Sequence, residues 1–108
     1  SGGQQQRVVI ARALALCPKI LICDESVSML DKEIQAEVLE LLRSLQEKLK
    51  LSMLFITHDL SIAAGFCHRV LVFDKGKIIE ENLGKYLLDY PKKNLTKKMV
   101  EASHRLPI

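Results

Sequence analysis

Residues 20–25, Ile20-Leu21-Ile22-Cys23-Asp24-Glu25, run four apolar side chains directly into two carboxylates. No polar residue alternates with the apolar ones, which is the pattern of a short strand covered on both faces, as in a parallel sheet. Met53-Leu54-Phe55-Ile56 repeats the pattern and ends in Thr57-His58-Asp59. Between the two runs, Ile34, Val38, Leu41, Leu42, Leu45 and Leu49 follow at steps of 4, 3, 1, 3 and 4, one apolar stripe on a helix over residues 32–49. Strand, helix and strand in this order predict parallel strands joined by a crossover, with functional groups at the carboxyl ends of the strands. Those ends carry Asp24-Glu25 and His58-Asp59.

The flanking elements follow from the same signals. A helix over residues 4–16 is entered through a Gly2-Gly3 turn and stopped by Pro18. A short helix, about residues 60–67, is weakened by Gly65. Val70-Leu71-Val72-Phe73 extends the strand–helix alternation and is assigned to the parallel sheet as its third strand. Lys75-Gly76 then turns the chain into Lys77-Ile78-Ile79-Glu80 as an antiparallel hairpin. Two further helical stretches, roughly 82–89 and 94–103, lie either side of Pro91. The expected organisation is a domain over residues 1–81 and a helical, basic tail over 82–108.

The chain has 108 residues, 48% of them apolar, and a net charge of +3. The basic excess sits mainly in the tail, at Lys92, Lys93, Lys97, Lys98, His104 and Arg105, and aromatic residues are few. That balance reads as a solvated tail and argues against a nucleic-acid surface. Three cysteines, Cys17, Cys23 and Cys67, form no CxxC and are odd in number, which suits a reduced, cytosolic setting. No run of 18 apolar residues offers a membrane span. With no initiating methionine, the sequence reads as a piece of a longer protein, and marginal stability is expected of so small a core.

The two strand ends carry groups suited to phosphoryl chemistry. A carboxylate such as Asp24 can hold Mg²⁺, a hard cation that prefers oxygen ligands. Its neighbour Glu25 can orient and deprotonate an attacking water. The bland alternative makes Asp24 a cap and Glu25 a surface residue. His58 can donate to a phosphate oxygen, or serve as a structural histidine. Asp59 is the natural N-cap of the helix that follows it. Ser1-Gly2-Gly3-Gln4 offers a hydroxyl and backbone N–H groups at a helix N-terminus, an arrangement that receives anions, or else an ordinary cap.

Taken together, "SGGQQQR" (1–7), "ILICDE" (20–25), "SMLD" (28–31) and "ITHD" (56–59) resemble, in order and spacing, the ATPase domain of ATP-binding cassette (ABC) transporters. Residues 1–7 are similar to the family's signature motif without its preceding leucine, 20–25 to the Walker B strand, 28–31 to the D-loop, and Thr57-His58 to the switch-histidine loop. The resemblance implies an α/β fold: a partial P-loop NTPase-like parallel sheet flanked by helices, with a C-terminal β-hairpin and a helical tail. It implies ATP and Mg²⁺ as cofactors, with Asp24 assisting the metal, Glu25 as general base and His58 sensing the γ-phosphate. Ser1, Gly2, Gly3 and Gln4 would face the γ-phosphate of ATP held by a second ATPase subunit, identical or not, and Asp31 would reach across that dimer interface. Membrane permease subunits would be the other partners, placing the protein peripherally on the cytoplasmic face of the cell membrane.

Two residues depart from the family pattern: Ser26 stands where proline usually follows the acidic pair, and Met29 where the D-loop has alanine. No GxxxxGK[ST] occurs, so the phosphate-cradling loop lies outside these 108 residues, which are not expected to hydrolyse ATP alone. Residues 34–48, 55–80 and 90–102 resemble importers of dipeptides, oligopeptides and nickel, although Pro91 and Thr96 are spaced more widely than in that group. Two other readings stand beside an importer ATPase: a non-transport ABC ATPase, and a non-catalytic module that docks on a partner's P-loop.

Overall fold

A computed structural model describes residues 2–25, 27 and 29–104, His104 by its backbone alone. The chain falls into two compact units, residues 1–58 and 59–108.

The first unit contains α1 (Gly2–Leu14), β1 (Ile20–Asp24), α2 (Lys32–Leu49) and β2 (Ser52–Ile56). Strands β1 and β2 pair in parallel, from Ile20 opposite Ser52 to Asp24 opposite Ile56. Helix α2 spans the residues its apolar stripe predicts and buries Val38 and Leu42 completely. Asp31 caps it: the Ile34 N–H donates to Asp31 Oδ1 at 3.1 Å, a contact that contributes about 1 kcal/mol. At the other end Lys50 takes a left-handed conformation (φ 54°, ψ 44°) and its N–H donates to the Gln46 carbonyl. The position suits glycine, and lysine holds it at a steric cost.

The strands differ from expectation in their cover. Leu21 and Cys23 are buried, but Ile20 and Ile22 are 62% and 63% exposed, as are Leu54 and Ile56 on the same face at 53% and 44%. An unbroken apolar run shows that both faces tolerate burial. It does not supply the covering layer, and the helices of this unit leave that face open.

The second unit contains α3 (Leu60–Phe66), β3 (Arg69–Asp74), β4 (Lys77–Leu83), α4 (Gly84–Leu87) and α5 (Asn94–His104). Asp59 caps α3 as expected, accepting from the N–H groups of Ser61 and Ile62. β3 pairs antiparallel with β4, and β1–β2 stand as a two-stranded sheet. The tight Lys75-Gly76 turn, both residues at positive φ (50° and 78°), presents β4 as the local partner of β3.

β4 also runs on to Leu83, so the helix expected over 82–89 shrinks to the single turn of α4. Pairing of Asn82 and Leu83 with Val70 and Arg69 takes those two residues into the sheet. The core of this unit gathers Leu60, Ala63, Ala64, Val70, Val72, Leu87 and Val100. Gly84 sits where backbone meets backbone: its N–H donates to the His68 carbonyl at 2.9 Å, and a Cβ there would lie 2.0 Å from the Cys67 carbonyl oxygen.

A buried carboxylate ties this unit together. Glu80, 4% exposed, accepts from the backbone N–H groups of Lys92 and Lys93 and from Asn82 Nδ2. Asn82 Nδ2 also donates to the Tyr90 carbonyl. Burial pushes the Glu80 carboxyl up, but the Lys92 and Lys93 N–H groups, with Thr96 and Asn82, outweigh it and hold the group below its ordinary value. Thr96 Oγ1 is buried with no hydrogen-bond partner among the described residues.

Candidate functional site

The parallel register decides what meets at the strand ends. One residue past the Asp24–Ile56 pair, the Glu25 N–H donates to the Ile56 carbonyl at 2.7 Å and lengthens the ladder. Asp24-Glu25 and Thr57-His58 therefore leave the same end of the sheet. There His58 Nδ1 lies 2.8 Å from Glu25 Oε1. An ionised carboxylate only accepts, so Nδ1 carries the proton in this contact. Both side chains open to solvent, His58 at 73% and Glu25 at 47%.

Glu25 has φ 50°. A side-chain-bearing residue in that left-handed region costs about 1–2 kcal/mol. A half-exposed side-chain hydrogen bond contributes about 1 kcal/mol, and the backbone bond to Ile56 a similar amount. Strain of this kind persists where the surroundings fix the residue, and such positions concentrate at functional sites. Neither the strain nor the direct Glu25–His58 contact was legible from the sequence.

Asp24 is exposed at the end of β1. Among the described residues no group of three or more His, Cys, Asp and Glu side chains could hold a metal. A lone carboxylate still fits Mg²⁺, which commonly takes one or two protein carboxylates and fills its remaining positions with water and phosphate oxygens.

Polar ties hold the described residues Val27, Leu30 and Asp31 between β1 and α2. Besides the cap made by Asp31, Gln35 Nε2 donates to the Val27 carbonyl at 3.0 Å, and the Leu30 N–H donates to the same oxygen at 3.2 Å. Sequence reading assigned Asp31 only an intermolecular role. Its place just before the apolar stripe is itself an N-cap signal. Nothing in the sequence marks Gln35.

The amino end of α1 differs from the expected glycine turn. The helix begins at Gly2, so Gly2 and Gly3 are helical and neither has a positive φ. What these positions need is the absence of a side chain: a Cβ on Gly2 would lie 2.6 Å from Leu30 Cδ2, and one on Gly3 2.6 Å from Ile34 Cγ2. The first turn has no acidic residue, so the helix dipole there is unopposed. Gln4 is exposed in that turn. Ser1 lies outside the described residues. The helix tip thus packs on Leu30 and Ile34, while Glu25 leans on His58.

Comparison with known proteins gives concordant results. The sequence model of the ABC transporter family matches residues 1–28. Methionine import ATP-binding protein MetN 2 of Oceanobacillus iheyensis is 46% identical over 101 residues, covering 94% of this chain and 30% of the relative. A Brucella abortus protein named for peptide import ATP binding is 56% identical over 80 residues, covering 74% of this chain and 24% of the relative. The solved structure of cbiO1 from Clostridium perfringens, described as part of the ABC transporter complex cbiONQ, superposes with TM-score 0.74 at 33% identity. It covers 97% of this chain and 40% of that one. The chain spans less than a third of the length of these two curated relatives.

Proposed function

As this chain is homologous to the ATP-binding subunits of ABC transporters along nearly its whole length, we propose that it contributes to ATP binding and hydrolysis in a subunit that drives import. The observation that supports this reading most is the 2.8 Å approach of His58 Nδ1 to Glu25 Oε1 at the carboxyl ends of paired parallel strands. In this reading Glu25 is the general base, taking a proton from the attacking water on its carboxylate. His58 holds that carboxylate through Nδ1–H, and its donation to the γ-phosphate falls to Nε2–H, which requires the doubly protonated ring. Asp24 is the Mg²⁺ ligand from this chain, and the metal when bound neutralises charge on the phosphate oxygens.

The N-terminal turn of α1, with Ser1, Gly2, Gly3 and Gln4, faces the γ-phosphate of ATP bound to a second ATPase subunit. Asp31 approaches that subunit across the interface. ATP thereby joins the two subunits, and its hydrolysis lets them part, a population shift that permease subunits convert into transport. No helix among the described residues is long and apolar enough to cross a membrane, in keeping with a peripheral place on the cytoplasmic face.

Peptide is the cargo we favour over methionine: of the two relatives compared, the one named for peptide import is 56% identical over 80 residues and the one named for methionine import 46% over 101.

The test is phosphate release by the full-length subunit, reconstituted with its permease and binding protein in lipid vesicles. The reading expects release stimulated by peptide. Stimulation by nickel or methionine instead would overturn the cargo assignment. No ATP-dependent phosphate release at all would overturn the ATPase assignment.

A further inference from the structure

Resting on the reading of Glu25 as the water-activating base, we propose that Gln35 is a positioning residue. Its side-chain amide, on the Val27 carbonyl, sets the backbone two residues beyond Glu25 and so holds the Glu25 carboxylate at His58.

Glu25 sits at φ 50° and must be fixed from both sides to stay there. On one side β2 fixes it, through the 2.7 Å bond from its N–H to the Ile56 carbonyl. On the other side Val27 is a fixed point, 1% exposed. The Val27 carbonyl receives the Leu30 N–H at 3.2 Å and Gln35 Nε2 at 3.0 Å. The first of these bonds is local to the connection. The second comes from the first turn of α2, which is itself held by the Asp31 cap, by the Gln35 N–H to the Asp31 carbonyl at 2.8 Å and by the burial of Val38 and Leu42 further along.

Gln35 is thus the arm by which a rigid helix grips the segment after the base. The amide must present its nitrogen here, since its oxygen would face the carbonyl oxygen of Val27. The helix has no need of glutamine at this place: lysine, methionine and glutamate form helix about as well.

The test uses the isotope-labelled full-length subunit and needs no nucleotide, so its outcome is independent of whether the subunit serves as an ATPase. Gln35→Met keeps length and removes the donor. Gln35→Lys keeps a donor. Two readouts are followed beside the far-ultraviolet spectrum and the melt: hydrogen exchange at the Leu30 amide, and the ring ¹⁵N resonances of His58, which report the Nδ1–H form. In Gln35→Met, Leu30 exchange should rise about fivefold and the His58 ring should shift away from the Nδ1–H form, with helicity unchanged. Gln35→Lys should restore both signals. If Gln35→Met unfolds, Gln35→Glu, which also lacks the donor, takes its place, and unfolding of both would overturn the proposal. So would wild-type Leu30 and His58 signals in a folded variant without the donor, or equal loss in Gln35→Met and Gln35→Lys.

Discussion

His58 Nδ1 lies 2.8 Å from Glu25 Oε1, although 33 positions separate the two residues in the chain. The parallel register of β1 and β2 closes that distance, and the Glu25–Ile56 backbone bond carries the ladder one residue beyond the strands. The acid and the histidine are therefore products of one βαβ unit, and changes elsewhere in the chain should divide into those that touch this unit and those that do not.

Glu80 makes a pH-dependent contribution to the second unit. Its folded pKa is lowered relative to an ordinary carboxyl, so the ionised form is favoured by folding. That stability is present above the pKa of the unfolded carboxyl, about 4.3, and is lost as pH falls through the lower folded value. Glu80→Gln should destabilise the chain by about 2 kcal/mol at pH 7, and the gap from wild type should close on acidification. Denaturant melts at a series of pH values check this. A gap that stays constant down to pH ~3 would contradict it.

Gly84→Ala should be severe. The added Cβ meets a carbonyl oxygen at 2.0 Å, and the contact is backbone on backbone, so no side chain can move aside. A loss of about 3 kcal/mol or more is expected, read as a lowered melting temperature with loss of tertiary signal from Tyr86 and Tyr90. A melt unchanged from wild type would contradict the close approach.

Lys50→Gly should stabilise the first unit. Lysine at φ 54° carries a steric cost that glycine does not, while glycine adds some freedom to the unfolded chain. The net gain should be about 0.5–1 kcal/mol, and Lys50→Ala should give none of it. Chemical denaturation of the two variants side by side decides the matter.

Much of this was legible in the residues. The helix over 32–49 came out with its predicted bounds because its stripe is long and strictly periodic. Both short apolar runs became strands, and they pair in parallel as the strand–helix–strand order requires. The hairpin of β3 and β4 was legible because Lys75-Gly76 marks its turn. Gly2-Gly3 reads in the sequence as the entry turn of a helix, whereas in the structure it lies inside α1 and marks a surface where Leu30 and Ile34 come close. At the site, Glu25 and His58 are marked by residue type and position at strand ends. Their mutual contact, the left-handed backbone of Glu25 and the grip of Gln35 on Val27 depend on three-dimensional register, which no local pattern encodes.

The central claim is that Glu25 activates water in a pocket completed by a second subunit. Its most direct test is Glu25→Gln in the full-length subunit, with ATP-driven dimerisation and phosphate release measured on the same sample. The account predicts that dimerisation persists while phosphate release falls about a hundredfold or more. Phosphate release at the wild-type rate would contradict it.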